Sequence, residues 1–192
     1  MQPKDISNKI DGKSLVYKND KKKYLIPDLV SNRFIGNRIF FIEGDNYVVG
    51  DTFFIAEFIN KELKEIYLAS LNSTISYLNV LVTGRKNMGD GVLLFYGPEF
   101  NNLDVLIPVN NHTKIKKIYS QLKTRIVCDI LVELGFDKNQ SVRKQEPNPL
   151  PDRKELDDLI FDELGLTNDE RKEVYWATAE LVTDRLEKAT SR

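Results

Sequence analysis

The sequence predicts an α+β fold, and three observations carry that prediction. Short apolar and aromatic runs broken by glycine, asparagine and aspartate occupy residues 15 to 58, the pattern of strands joined by tight turns. Apolar residues then recur three or four apart at Leu63, Ile66, Tyr67, Leu71, Ile75 and Leu78, and again from Ile115 to Leu134. That is the period of helices that bury one face. Beyond a proline-bearing stretch, two further helical patterns end the chain. The expected organisation is a β-rich domain with two packed helices over residues 1–136, a linker over 137–151 and a C-terminal helical segment over 152–192.

Residues 1–14 are polar and read as the start of a cut fragment or a linker. Leu15-Val16-Tyr17 is a strand candidate. Lys21, Lys22 and Lys23 end the turn that follows, and Tyr24 to Pro27 is extended, because proline disfavours helical geometry in the residue before it. Strands are expected at 38–42, 47–49 and 52–56, with turns at 43–46 and 50–51. A helix over 63–78 has Leu71-Asn72-Ser73 within its stripe. A polar, glycine-bearing loop covers 83–91, followed by a strand at 92–96, a turn at Gly97-Pro98 and a second apolar run over 103–109. The next helix spans 113–134, carries Lys114, Lys116, Lys117, Lys123 and Arg125 on its polar side, and stops at Gly135. Asp152 caps a helix over 153–164 that ends at Gly165, and Thr167-Asn168-Asp169-Glu170 is a capping box for the last one. Two short amphipathic helices cannot make a core alone, so this pair must pack on the rest of the chain or on a partner.

With 192 residues and 41% hydrophobic content, the chain can bury a core without disulfides. Cys128 lies among Ile126, Val127, Ile130 and Leu131, where a structural thiol in a reducing compartment is expected. No apolar run spans a membrane and the N-terminus has no signal-peptide pattern, so a soluble cytoplasmic protein is expected. The net charge of −1 hides an asymmetry: residues 152–192 hold 12 acidic and 7 basic residues, leaving 17 and 21 before them. The front of the chain can face a polyanion, and the back water or protein.

Several chemistries are excluded. There is no G-x-G-x-x-G after a strand, no phosphate-binding P-loop and no G-x-S-x-G elbow. His112 is the only histidine, which leaves no nucleophile pair and no histidine or thiolate metal site. The Asn/Asp-Pro-Pro-aromatic loop that holds a target amine is also missing, since Asn148-Pro149-Leu150-Pro151 is not that loop. One enzymatic constellation survives: Asp51, Glu62 and Lys64 follow the D…E-x-K order of metal-dependent nucleases, with Gly50 where a proline usually stands.

Ile26-Pro27-Asp28-Leu29 followed by Arg33, then Gly50-Asp51-Thr52-Phe53-Phe54, then Tyr67-Leu68-Ala69-Ser70-Leu71-Asn72-Ser73, resembles the target-recognition region of bacterial and archaeal DNA adenine methyltransferases of restriction–modification systems. Gly91-Val92-Leu93-Leu94 and Leu106-Ile107-Pro108-Val109 match in order. The tail is more distinctive, at Pro151-Asp152-Arg153-Lys154-Glu155-Leu156-Asp157, Phe161, Leu164-Gly165-Leu166, Glu173-Val174-Tyr175, Leu181-Val182 and Arg185. The resemblance covers roughly Tyr24 to Ser191. It implies that this chain is the non-catalytic C-terminal part of such an enzyme and reads double-stranded DNA. A separate catalytic domain would bind S-adenosylmethionine, so no cofactor and no catalytic residue are assigned to this chain.

Under that reading Lys21, Lys22 and Lys23 on one turn, with Arg85 and Lys86 on another, suit phosphates. Arg33, Asn37 and Arg38 around the Gly36 turn, with Asn87, could reach base edges, because arginine and asparagine make bidentate contacts to guanine and adenine. Two rivals stand beside it. One is the nuclease built on Asp51, Glu62 and Lys64. The other is a protein-docking module for a catalytic subunit.

Overall fold

The computed structural model describes residues 27–44, 50–86, 91–95 and 97–190. The fold is α+β, about 52% helix and 10% strand, so short sheets frame a core that is mainly helical. Strand β1 (Leu29–Asn32) lies at the centre of a three-stranded antiparallel sheet, between β3 (Phe41–Glu43) and β4 (Phe53–Ala56). The chain then leaves that sheet at Arg33. Its N–H still donates to Thr52 O (3.1 Å), but its carbonyl accepts from Phe95 N (2.8 Å). Strand β2 (Phe34–Ile35) consequently pairs with β5 (Leu93–Leu94) in a second small sheet, which the backbone of Arg85 extends by bridging Leu94. The central strand was not among the predicted ones, because Leu-Val-Ser-Asn is too short to show a period of two. The predicted runs at 15–17 and 24–26 and the strand at 47–49 lie outside the described residues.

The helix expected over 63–78 is two helices, α1 (Lys64–Leu71) and α2 (Thr74–Thr83). Asn72 and Ser73 break it because short polar side chains compete for backbone groups and favour caps. Ser73 Oγ accepts from Ser76 N, and Asn72 Nδ2 donates to Leu68 O at 2.8 Å. The turn at Gly97-Pro98 opens a short helix, α3 (Gly97–Asn101), and the apolar run over 103–109 is irregular, with Leu103 and Val105 packed inward.

The helix expected over 113–134 also divides. Helix α4 (His112–Leu122) ends before an irregular stretch, and α5 (Ile130–Glu133) restarts where the Asp129 carboxylate accepts from Leu131 N at 2.9 Å. The proline-bearing stretch lies against the protein. Asn148 N donates to Leu134 O and Leu150 N to Glu133 O, and Trp176 Nε1 donates to Gln145 O at 2.8 Å. Gly135, at φ +73°, permits this approach, since a Cβ there would sit 1.8 Å from Asn148 O.

Helix α6 begins one residue earlier than the expected cap (Pro151–Leu164), which places Asp152 in its first turn. Helix α7 (Asn168–Thr190) is long, and the predicted capping box forms, with Thr167 N and Oγ1 donating to the Glu170 carboxylate. The pair packs on the rest of the chain: α7 along α2, and α6 against α4. Leu156, Ile160, Phe161, Ala179 and Val182 thereby join one core with Ile66, Leu68, Leu81 and Phe95. Each such large side chain contributes about 1.5–3 kcal/mol by leaving water. Among the described residues no helix is long and apolar enough to cross a membrane.

Candidate nucleic-acid interface

The Gly36 turn, with Arg33 and Arg38, and the loop that carries Arg85 and Lys86 are brought together. Phe34 and Arg85 both face Leu94 across β5, and directly opposed cross-strand residues share a sheet face. Arg33 and Arg38 flank one side of this small sheet, and Lys86 follows Arg85 on the other. Phe34 is left 41% exposed on this sheet.

The five described candidates have different surroundings. Arg33 Nη1 donates to Asp51 O at 2.5 Å, and Arg85 pairs with the buried carboxylate of Glu99. Asn37 Nδ2 donates to Asp129 Oδ2 at 2.6 Å, while its carbonyl accepts from Ile130 N. These three side chains hold the turns in shape. Arg38 and Lys86 are exposed, and their side chains make no hydrogen bond or ion pair with the described residues, which leaves them as the open cations among the candidates. Lys21, Lys22, Lys23 and Asn87 lie outside the described residues.

The supports of these turns were missed by reasoning from residue types. Arg185 of α7 donates from Nη1 to Ile35 O (2.7 Å) and from Nη2 to Gly36 O (2.5 Å), fixing the bend between Arg33 and Arg38. Burial draws its guanidinium below the ordinary pKa, and no carboxylate among the described residues pairs with it. The same end of α7 meets the other side of the sheet. A Cβ at Gly91, φ +68°, would press on Ala189 and on the carbonyl of Arg185. The only signal for Arg185 was its place in the tail resemblance.

Beside β3 of the three-stranded sheet lies a polar junction that joins Leu71-Asn72-Ser73 to the tail. Asn72 clasps the backbone of Phe41, accepting from its N–H at 3.2 Å and donating to its carbonyl at 2.6 Å. Asn72 O accepts from Arg153 Nη1 (2.9 Å), and Thr74 N and Oγ1 donate to the Asp157 carboxylate at 2.7 and 2.6 Å. Arg153, 4.7 Å above the Tyr77 ring centroid, donates to Glu133 Oε2 at 2.8 Å. Glu133 in turn receives a bidentate pair from Arg125, both bonds 2.6 Å, and Arg125 Nε reaches Asp152 at 2.5 Å. Burial pushes the Glu133 carboxyl up, but the hydrogen bonds and charges of Arg125 and Arg153 outweigh it and lower the pKa to about 2.

Of the nuclease constellation, Lys64 is paired with Glu43 (2.8 Å) and lies 3.8 Å from Asp28, and Glu62 sits exposed at the start of the first helical turn. Among the described residues no group of three His, Cys, Asp or Glu is placed to hold a metal ion. No family model, curated protein or solved structure matches this chain.

Proposed function

We propose that this chain reads DNA sequence, as the non-catalytic C-terminal part of a restriction–modification adenine methyltransferase acting in the cytoplasm. Its partners are double-stranded DNA and a catalytic domain or subunit that binds S-adenosylmethionine. The observation that supports the reading is the meeting of two basic turns, distant in sequence, on one small braced sheet that also bears the exposed Phe34. Phosphate contacts supply affinity and base-edge contacts supply sequence discrimination, so a reader needs cations free of internal partners on a rigid frame. Arg38 and Lys86 are such cations, and Arg33, Asn37, Arg85 and Arg185 hold the frame.

The test is a duplex-binding titration at several salt concentrations. Replacing Arg38 and Lys86 together by alanine is expected to weaken binding and to reduce the salt slope by about 1 for each phosphate contact removed. An isotherm unchanged by that double replacement, or binding insensitive to salt, overturns the proposal.

A further inference from the structure

The three-stranded sheet has two unlike faces, both apolar. Leu29, Phe41, Phe54 and Ala56 point into the core, where Phe100 of α3 stacks on Phe54 with ring centroids 4.4 Å apart. Side chains alternate across a strand and directly opposed residues share a face. Val30, with its partners Ile42 and Ile55, therefore lies on the opposite side, as does Phe53 beside Asn32. Phe40 joins them, its ring centroid 6.3 Å from that of Phe53. None of these apolar side chains belongs to the core cluster. Ile42 and Phe53 are left 37% and 39% exposed, whereas Val30, at the centre, is only 2% exposed. The solvated face of an antiparallel sheet is ordinarily polar. Here Asn32 is the one polar member among the paired residues, and none is charged.

Size and charge decide what such a face can take. Strands about 4.8 Å apart and residues rising about 3.4 Å each give three short strands a face of roughly 200 Å². A stable complex between separate chains buries about 800 Å² on each partner, so this patch by itself holds neither a second copy nor a separate domain. A nucleic-acid strand needs cations for its phosphates, and the paired residues of this face supply none. A segment of the same chain needs far less area, because a short tether gives it an effective concentration on the order of mM.

The chain before Pro27 is tethered at this sheet. It runs directly into β1, the central strand, and Pro27 lies against the end of β3, where a Cβ on Gly44 would sit 1.9 Å from Pro27 O. Its apolar run Leu15-Val16-Tyr17 ends ten residues before Pro27. A flexible stretch of that length spans about 17 Å root-mean-square, which matches a face about 14 Å across. We propose that Leu15-Val16-Tyr17 seats on the outer face of the three-stranded sheet, with Leu15 and Tyr17 against Ile42, Ile55 and Phe53. Alternation in an extended run puts Leu15 and Tyr17 on the same side. The Lys21–Lys23 turn would then be tied to the body that carries Arg38. The seating itself does not depend on the DNA-reading proposal.

The experiment is NMR of the full chain with labelled leucine and isoleucine methyls and tyrosine rings. Nuclear Overhauser contacts are expected from the Leu15 methyls and the Tyr17 ring to the methyls of Ile42 and Ile55. Ile42→Asp, which puts a charge on the face, is expected to abolish the contacts with Ile55 while the core methyls of Ile66 and Ile160 keep their shifts. Tyr17→Asp, outside the folded body, is expected to abolish the Leu15 contacts even if Ile42→Asp fails to fold. Val109→Asp, at an apolar side chain exposed elsewhere, should leave all of them in place. Absence of the contacts in the wild type, or their persistence in Tyr17→Asp, overturns the proposal. Contacts found only between differently labelled chains in a mixed sample also overturn it and assign the face to a second copy. A single-stranded oligonucleotide that displaces the Leu15 contacts and shifts the Ile42 and Ile55 methyls overturns it in favour of nucleic acid.

Discussion

The polar junction around Asn72 and the basic face around Gly36 use the same residue types for opposite ends. In the junction, Arg125, Arg153, Glu133 and Asp157 lie in or near the core and are matched by one another and by Asn72, Thr74 and Tyr77. On the basic face, Arg38 and Lys86 point to solvent and are matched by nothing in the described chain. A buried charge must be answered internally because desolvation leaves no alternative, whereas an exposed one is answered by water until a ligand arrives. An arginine is thus a candidate reader only when the fold has left it without an internal partner. By that measure Arg33, Asn37 and Arg85 serve as supports.

The largest effect is expected from breaking the junction at its centre. Glu133→Ala leaves two guanidinium groups without their shared carboxylate and should cost about 3–5 kcal/mol, read from the denaturant midpoint. The same carboxylate gives the junction a pH signature. Its folded pKa of about 2 lies below the ordinary 4.5, so its contribution is present above the ordinary value and is lost as pH falls from there toward 2. Glu133→Gln should flatten that part of the stability profile, and an unchanged acid limb would contradict the arrangement.

Asn72→Ala is next, at about 1–3 kcal/mol, because it leaves the Phe41 N–H and carbonyl unpaired near the core. A thermal melt would measure it. Arg143 offers a contrast on the exterior. It pairs bidentately with Glu173 and reaches Glu180 and the Trp176 ring, but its side chain is largely in water. Arg143→Ala should therefore cost under about 1 kcal/mol and less at high salt. Arg38→Ala should change stability by no more than about 0.5 kcal/mol. Duplex affinity is where it should register, with a fall in the salt slope of about 1. A stability loss at Arg38 as large as that at Asn72 would erase the distinction between the two regions.

Much of the helical half was legible beforehand. In the stripes, Ile66, Tyr67, Leu71, Ile115, Ile118, Tyr119, Ile130 and Leu134 are buried as read, whereas Ile126 is 82% exposed, and the Thr167–Glu170 box forms as read. Two breaks within those stripes were not foreseen, although Asn72-Ser73 and Asp129 are cap residues by type. A cap within a continuous apolar stripe is ambiguous until a distant partner fills the break. Asn72 has Phe41 and Arg153, and Asp129 has Asn37, 92 residues earlier. Glu133 was less visible still. It stands between Val132 and Leu134 on a helical pattern, and nothing local says that two arginines converge on it.

The sequence alone determined the helical faces, several of the helix ends and the excess of base before residue 152, because each depends on residues within a turn or two of one another, or on composition alone. Only the tertiary structure decided which charged groups among the described residues are answered internally and which face solvent. Those outcomes depend on meetings such as Thr74 with Asp157 and Arg185 with Ile35, across 83 and 150 residues of chain. No local pattern encodes such a meeting. The packing that buries one member of a pair also selects the other.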